Sequence, residues 1–296
     1  MKNNAKEAVL QARPKAKNPW ADAWHSLKKN KMACIGGIVL LVFIIIAIFA
    51  DFIAPHAADT QDWMHIMEGP SADYPLGTDS YGRCVFSRIV YGSRISLLVG
   101  FVAVAFSAIG GGIIGACAGY FRGRLDNVLM RIMDVLLAIP SILLAIAIVN
   151  ILGPSLMNVM IAVGLSSMPS FARIVRAAVL SIRDSEFIEA AVAIGDNTAA
   201  IIWHNILPNC LAPIIVQATL GVASAILSAA GLSFLGLGLP STIPTWGFMV
   251  NESQEIIFSM DHFYIFMWPT LIISITVFGF AMLGDGLRDL LDPRLK

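Results

Sequence analysis

The side chains able to do covalent, acid–base or metal chemistry are few and far apart. Histidines stand at 25, 56, 65, 204 and 262, and cysteines at 34, 84, 117 and 210. No CxxC pair occurs, and no His/Cys spacing belongs to a metal site. No nucleophile–base arrangement follows from these residues, so a membrane enzyme has nothing to work with and no catalytic residue is assigned. No Gly-x4-Gly-Lys-Ser/Thr run offers a phosphate cradle, so any ATP chemistry must be supplied in trans. The informative polar groups lie elsewhere. They are Glu189 in "EAAVAIGDNTAAIIWHNILPN", Asp79 and Arg83 in "LGTDSYGRC", and Asp134, Asn158 and Gln217 inside apolar runs.

The elements that hold them are set by the solvent. The chain has 296 residues, of which 57% are hydrophobic and 14% charged, with mean hydropathy +0.76. Soluble domains average roughly 45–50% apolar and about 25% charged. Six stretches reach the ~20 residues needed to cross a bilayer, at about 33–53, 95–119, 128–151, 156–177, 210–236 and 263–284. The expected fold is therefore an all-α polytopic membrane protein with six transmembrane helices. With the N-terminus in the cytoplasm, 17 of 20 basic residues fall inside and only Arg83, Arg88 and Arg94 outside, as the positive-inside rule requires. The first span is too long, and too far from the start, for a cleaved signal peptide, so it reads as an anchor. Net charge is zero, which gives no electrostatic case for nucleic acid.

The organisation expected is a cytoplasmic tail and interfacial helix over 1–32, an anchor span over 33–53 and an extracytoplasmic loop over 54–94. A transmembrane core follows over 95–287, then a cytoplasmic tail over 288–296. Within 1–32, Asn18, Pro19 and Asp22 suit a helix start, and Trp20, Trp24 and Leu27 share one face. Gly111, Gly115 and Gly119, at four-residue spacing, predict a close helix–helix approach. Pro140, Pro169 and Pro213 predict kinks or breaks within spans. Asp134 has Arg131 at i−3 as a local partner. It is also a candidate for a pathway lining, as are Asn158 and Gln217, although each can equally bond a neighbouring helix.

Two extramembrane stretches remain. The outer loop ends on Gly77, Thr78, Asp79, Gly82 and Arg83, whose glycines mark turns and whose charges suit either an Asp–Arg tie or a docking surface or gate rim. On the cytoplasmic side, Asp184 or Ser185 can cap a helix with Glu186 and Glu189 in its first turns. Gly195 suits a left-handed helix end, Asn197 or Thr198 can cap a second helix, and Pro208 marks its end. Ala190, Ala191 and Ala193 make the first helix thin. Such a helix–turn–helix, over about 185–207, suits another protein's groove, and it equally suits lipid headgroups.

Glu189, Ala190, Ala191, Gly195, Leu207 and Pro208 resemble the EAA motif of bacterial ABC-importer permeases; Asn205 stands where that pattern prefers an apolar residue. "LGTDSYGRCVFSRIVYGSRISL", "GLSFLGLGLPSTIPTWG" and "GDGLRDLLDPRLK" resemble further blocks of the C-type permeases of dipeptide and oligopeptide importers, with Cys84 in place of a frequent acid. The resemblance covers about 20–296. It implies a type I importer permease core, with the EAA helices inserted into an ATPase cleft. It also implies a B-type permease partner, two ABC ATPase subunits that bind ATP and Mg, and an extracytoplasmic peptide-binding protein. No cofactor and no metal is implied in this chain. Import of nickel or another small solute is the alternative within the family. A secondary transporter would show inverted repeats and midplane acids, and neither is found.

Overall fold

The protein is described from a computed structural model over residues 30–238, 240, 242–256 and 261–291. The interfacial helix expected over 18–31 lies outside the described residues, apart from its last two positions. Asn30 caps the first helix there, its side chain accepting from the Met32 and Ala33 amides. That helix is α1 (Lys31–Ile48), followed by the short α2 (Ala50–Ile53). Then come α3 (Val85–Phe121), α4 (Gly123–Ala138), α5 (Ser141–Leu152), α6 (Leu156–Ile182), α7 (Glu186–Ile194) and α8 (Thr198–Ala200). α8 runs on through a π-helix (Ile201–Ile206) and a 3-10 turn (Leu207–Cys210) into α9 (Leu211–Phe234), and α10 (Trp246–Glu252) and α11 (Tyr264–Leu291) complete the set.

Among the described residues five helical segments are long and apolar enough to cross a membrane, and α4 with α5 forms a sixth span broken by 92°. The interruption expected at Pro140 within the span over 128–151 is found, as a full break between Ala138 and Ser141. Pro140 removes a backbone donor and disfavours helical geometry at Ile139, and the chain turns between Ala138 and Ser141. Pro169 stays inside α6, and Pro213 lies in the first turn of α9, where a missing N–H costs nothing. Two boundaries also move. α3 begins at Val85, ten residues above the predicted span, because the "VFSRIVYGSR" turns find charged partners in the outer loop. α11 reaches Leu291, so the start of the predicted tail is helical.

The core is built around α3. Val99, Ala103 and Val104 bury against Val159, Ala162, Val163 and Phe171 of α6 and Val222 and Ile226 of α9. The glycine stripe does what its spacing predicts. A Cβ on Gly111 would lie 2.6 Å from the Met168 carbonyl oxygen, and one on Gly119 2.8 Å from Val179 Cβ. Only hydrogen fits at such a seam, and the backbones close upon it. Ser107 completes the contact by donating to the Gly164 carbonyl at 2.6 Å. Trp246 is fully buried and donates to the Ile89 carbonyl at 3.0 Å, which pins α10 to the upper part of α3.

Candidate functional site

The cytoplasmic elbow is built from residues that each close one bond. Ser185 opens α7 in extended geometry, with its hydroxyl donating back to the Ile182 carbonyl at 2.6 Å. Asp184, the other capping candidate, instead receives Arg122 at 2.8 Å. Glu186 and Glu189 lie in the first turn, where the helix dipole favours carboxylates. At the far end Gly195 takes φ +93°. Its amide donates to Val192 and the Asp196 amide to Ala191, the paired bonds of a Schellman ending. Asn197 then caps the next helix, accepting from the Ala200 amide at 2.7 Å. Here the structure corrects the reading of Pro208 as a helix end. The chain widens through the π turn and then tightens through the 3-10 turn, keeps helical geometry across Leu207 and Pro208, and delivers the elbow straight into α9.

The elbow has two faces. Ile188, Ala191, Ile201 and Ile206 are buried against Ala116, Val175 and Val179 of α3 and α6. Outward stand Glu189, Ala190, Ala193 and Gly195, together with Phe187, Val192, Ile194 and Trp203, of which Ile194 is 83% exposed. Among the described residues the Glu189 carboxylate has no hydrogen-bond or ion-pair partner. An apolar rim around an unpartnered acid, held by a rigid turn, is suited to a protein groove.

Three ion pairs join α4 and its preceding turn to α6 and the start of the elbow. Arg176 grips Asp126 with two bonds of 2.6 and 2.7 Å, Arg173 meets Asp134 at 2.6 Å, and Arg122 meets Asp184. The expected Arg131 partner of Asp134 is thereby replaced. Packing of α4 on α6 brings Arg173 to Asp134 instead. The only buried side chains of α4 are Asp126 and Met133, so charge pairing holds this helix as much as apolar packing does. The other pathway candidates lie apart. Asn158 donates to the Leu152 and Gly153 carbonyls, each at 2.9 Å, closing the end of α5. Gln217 lines a cleft of about 490 Å³ beside Ile174, Pro213 and Arg288.

On the opposite side, Gly77, Thr78, Asp79, Gly82 and Arg83 are all buried. Asp79 receives Arg83 Nε at 2.8 Å and Arg88 at 2.6 Å. The same two arginines reach Glu252 at the end of α10, at 2.8 and 2.7 Å. Two cations and two anions therefore neutralise one another away from water, as buried charges must. Thr78 Oγ1 donates to the His65 carbonyl at 2.6 Å and accepts from the Glu68 amide. Gly77 and Gly82 have positive φ, and a Cβ on Gly77 would meet the Glu68 carbonyl oxygen at 2.6 Å. Below this hub, Arg94 bonds the Ala47 carbonyl at 2.9 Å and Asp51 at 3.1 Å, tying α3 to the end of the first span. Above it, Asp62 accepts from His65 Nδ1 at 2.8 Å and from the Tyr74 hydroxyl at 3.0 Å. The hydrogen bond to His65 holds the Asp62 carboxyl below its ordinary range, and the same bond raises the His65 pKa.

Sequence reading missed Glu252. It lies 169 positions from Arg83, and no local pattern distinguishes it from Glu255 three residues on. It also missed Asp126, whose spacing from Arg176 carries no period. No group of three or more His, Cys, Asp or Glu side chains poised for a metal occurs among the described residues.

Comparison with known proteins adds the following. The profile of the family described as "Binding-protein-dependent transport system inner membrane component" matches residues 108–296. That of the "N-terminal TM domain of oligopeptide transport permease C" matches residues 18–70. The chain is 50% identical over 281 residues to the dipeptide transport system permease protein DppC of Alkalihalophilus pseudofirmus, covering 95% of this chain and 92% of that protein. It is 40% identical, over the full length of both chains, to the glutathione transport system permease protein GsiD of Pectobacterium atrosepticum. Among solved structures, an inward-facing MetNI methionine ABC transporter chain superposes with TM-score 0.58 at 20% identity, covering 70% of this chain and 97% of that one. The fold of the membrane core is thus that of an ABC importer permease.

Proposed function

This chain belongs to the binding-protein-dependent transport inner-membrane component family, and from that premise we propose that it is the C-type permease subunit of an ATP-driven importer of dipeptides and short oligopeptides. The peptide assignment is supported by the DppC and GsiD relatives, glutathione being itself a small peptide. The chain pairs with a B-type permease. Two ABC ATPase subunits bind ATP and Mg and perform the hydrolysis, so this subunit itself is not catalytic. Peptide arrives from an extracytoplasmic binding protein. The distribution of basic residues supports placing both termini in the cytoplasm of a bacterial cell.

The observation that carries the coupling role is the elbow of Glu186–Pro208. It is rigid at Gly195, apolar on its outer rim, and continuous with α6 on one side and α9 on the other. A groove in the ATPase that grips Phe187, Val192 and Ile194 moves both spans together. α4 follows through the Asp126–Arg176 and Asp134–Arg173 pairs, bending at the break before Pro140. Coupling further requires that the ATPase bind inward- and outward-open states unequally. Copurification from native membrane, followed by reconstitution in proteoliposomes with purified binding protein, tests the reading. Recovery of a second permease and ATPases, with ATP-dependent dipeptide uptake that stops when the binding protein is omitted, is the expected result. Uptake driven by an ion gradient without ATPase would overturn it.

A further inference from the structure

Of the signature, Gly77, Thr78, Asp79, Gly82 and Arg83 are internal, and what they hold outward is the turn Asp62–His65. Trp63 is 62% and Met64 85% exposed. Their backbone is fixed from three sides. The Asp62 amide donates to the Gly82 carbonyl at 3.2 Å, the Asp62 side chain accepts from the Met64 amide at 3.1 Å, and Thr78 holds the His65 carbonyl. A turn braced in this way, with two large apolar side chains in water, has already met the ordering cost of binding.

Its height decides what covers it. The Arg94 bonds to Ala47 and Asp51 mark where the apolar part of α3 ends. Val85 lies nine residues further along the same helix, about 13 Å at 1.5 Å per residue, and the Asp62 turn bonds Gly82, beyond that helix start. A tilt of 40°, the upper end for spanning helices, still leaves about 10 Å. The headgroup layer on each side is only about 5–8 Å thick, so Trp63 and Met64 stand above the lipid. In the same loop Asp59, Glu68 and Asp73 are exposed. The loop's one cation of fixed charge, Arg83, is buried against Asp79 and Glu252.

We propose that Trp63 and Met64, on a loop that exposes these acids, form the seat of the extracytoplasmic peptide-binding protein. The surface it meets offers an apolar pocket with a lysine- and arginine-bearing rim. This rests on the permease reading above and adds the surface to it. Exposed tryptophan is the side chain most often dominant in such contacts, and the exposed acids of the loop set encounter rate and salt dependence.

The test uses the complete transporter in proteoliposomes with the binding protein titrated. Trp63→Ala with Met64→Ala raises the binding-protein concentration for half-maximal uptake at least about tenfold, while uptake at saturation and thermal stability in detergent stay at wild-type values. Asp59→Lys with Glu68→Lys flattens the dependence of half-saturation on ionic strength. Unchanged half-saturation in the alanine pair overturns the proposal, and so does quenching of Trp63 fluorescence by brominated lipids. A wild-type transporter indifferent to binding protein would instead overturn the permease reading itself.

Discussion

Gly195 allows the coupling elbow to be tested through a single backbone angle. Its φ of +93° with ψ of 21° lies in the left-handed region, which costs an ordinary L-residue about 1–2 kcal/mol. A Cβ placed there would meet no atom within 4 Å, so no packing clash adds to that cost. Gly195→Ala therefore disfavours the bent elbow by about 1–2 kcal/mol, roughly a 5- to 30-fold loss in its population relative to straightened alternatives. Gly195→Val, β-branched, loses more, and Gly195→Asn, which tolerates this region, loses least. The assay is peptide uptake per ATP hydrolysed in proteoliposomes, together with retention of ATPase subunits by the solubilised permease. The expected order is Gly, then Asn, Ala and Val, with membrane insertion equal in all four. Wild-type coupling in the valine variant would refute the argument. So would asparagine as damaging as valine, since that would make the bare surface at 195 matter rather than its backbone angle.

Asp126→Asn removes one partner of a two-bond, half-buried pair, and loss of bonds to a charged group costs about 1.5–3 kcal/mol. Thermal unfolding in detergent should fall accordingly, and the swap Asp126→Arg with Arg176→Asp should recover part of the loss. Gly115→Leu places a Cβ 2.9 Å from the Arg176 amide nitrogen and the Val175 Cβ, so α3 and α6 must separate; folded protein recovered after extraction should drop sharply, while Gly112→Leu, with nothing within 4 Å, should be recovered normally. The Asp62–His65 link gives a pH window. His65 titrates above 6.5 when folded, so its contribution is complete below 6.5 and is lost as pH rises through the folded value. Asp62 titrates below 3.8, so its contribution is complete above 3.8 and is lost as pH falls through its folded value. Hydrogen exchange over residues 62–67 should show most protection between these limits after correction for intrinsic rates, and His65→Gln should remove the alkaline loss.

What the sequence made legible was local. Gly195 reads as a helix end because one position needs a left-handed backbone, and Asn197 reads as a cap because its side chain reaches an amide three residues on. The stripe of Gly111, Gly115 and Gly119 reads as a seam because its period is that of a helix face. Partner choice was not legible. Asp134 has Arg131 within reach on its own helix, yet it meets Arg173, because packing of α4 on α6 decides which cation arrives at 2.6 Å. Pro140 announced an interruption, but the 92° between α4 and α5 is set by what the two halves pack against. The π-turn at Ile201–Ile206 escaped for a similar reason. Its extra residue per turn lets Ile201 and Ile206 both face the core, whereas an α-helical period turns them apart.

The four-charge hub also dictates an order of events during synthesis. Arg83 and Arg88 reach the outer side early, against the rule that keeps cations inside, with Asp79 as their nearby anion. Their second carboxylate is encoded 169 and 164 residues later. At about 5–20 residues per second, it leaves the ribosome on the order of 10–30 s after them. Through that interval the hub holds two cations against one anion, and the loop lacks the contact that locks it to α10. Closure of the outer half is therefore one of the last steps of assembly. A nascent chain halted before Glu252 should leave the 54–84 segment open to protease on the outer side, and one released just after α10 has docked should not.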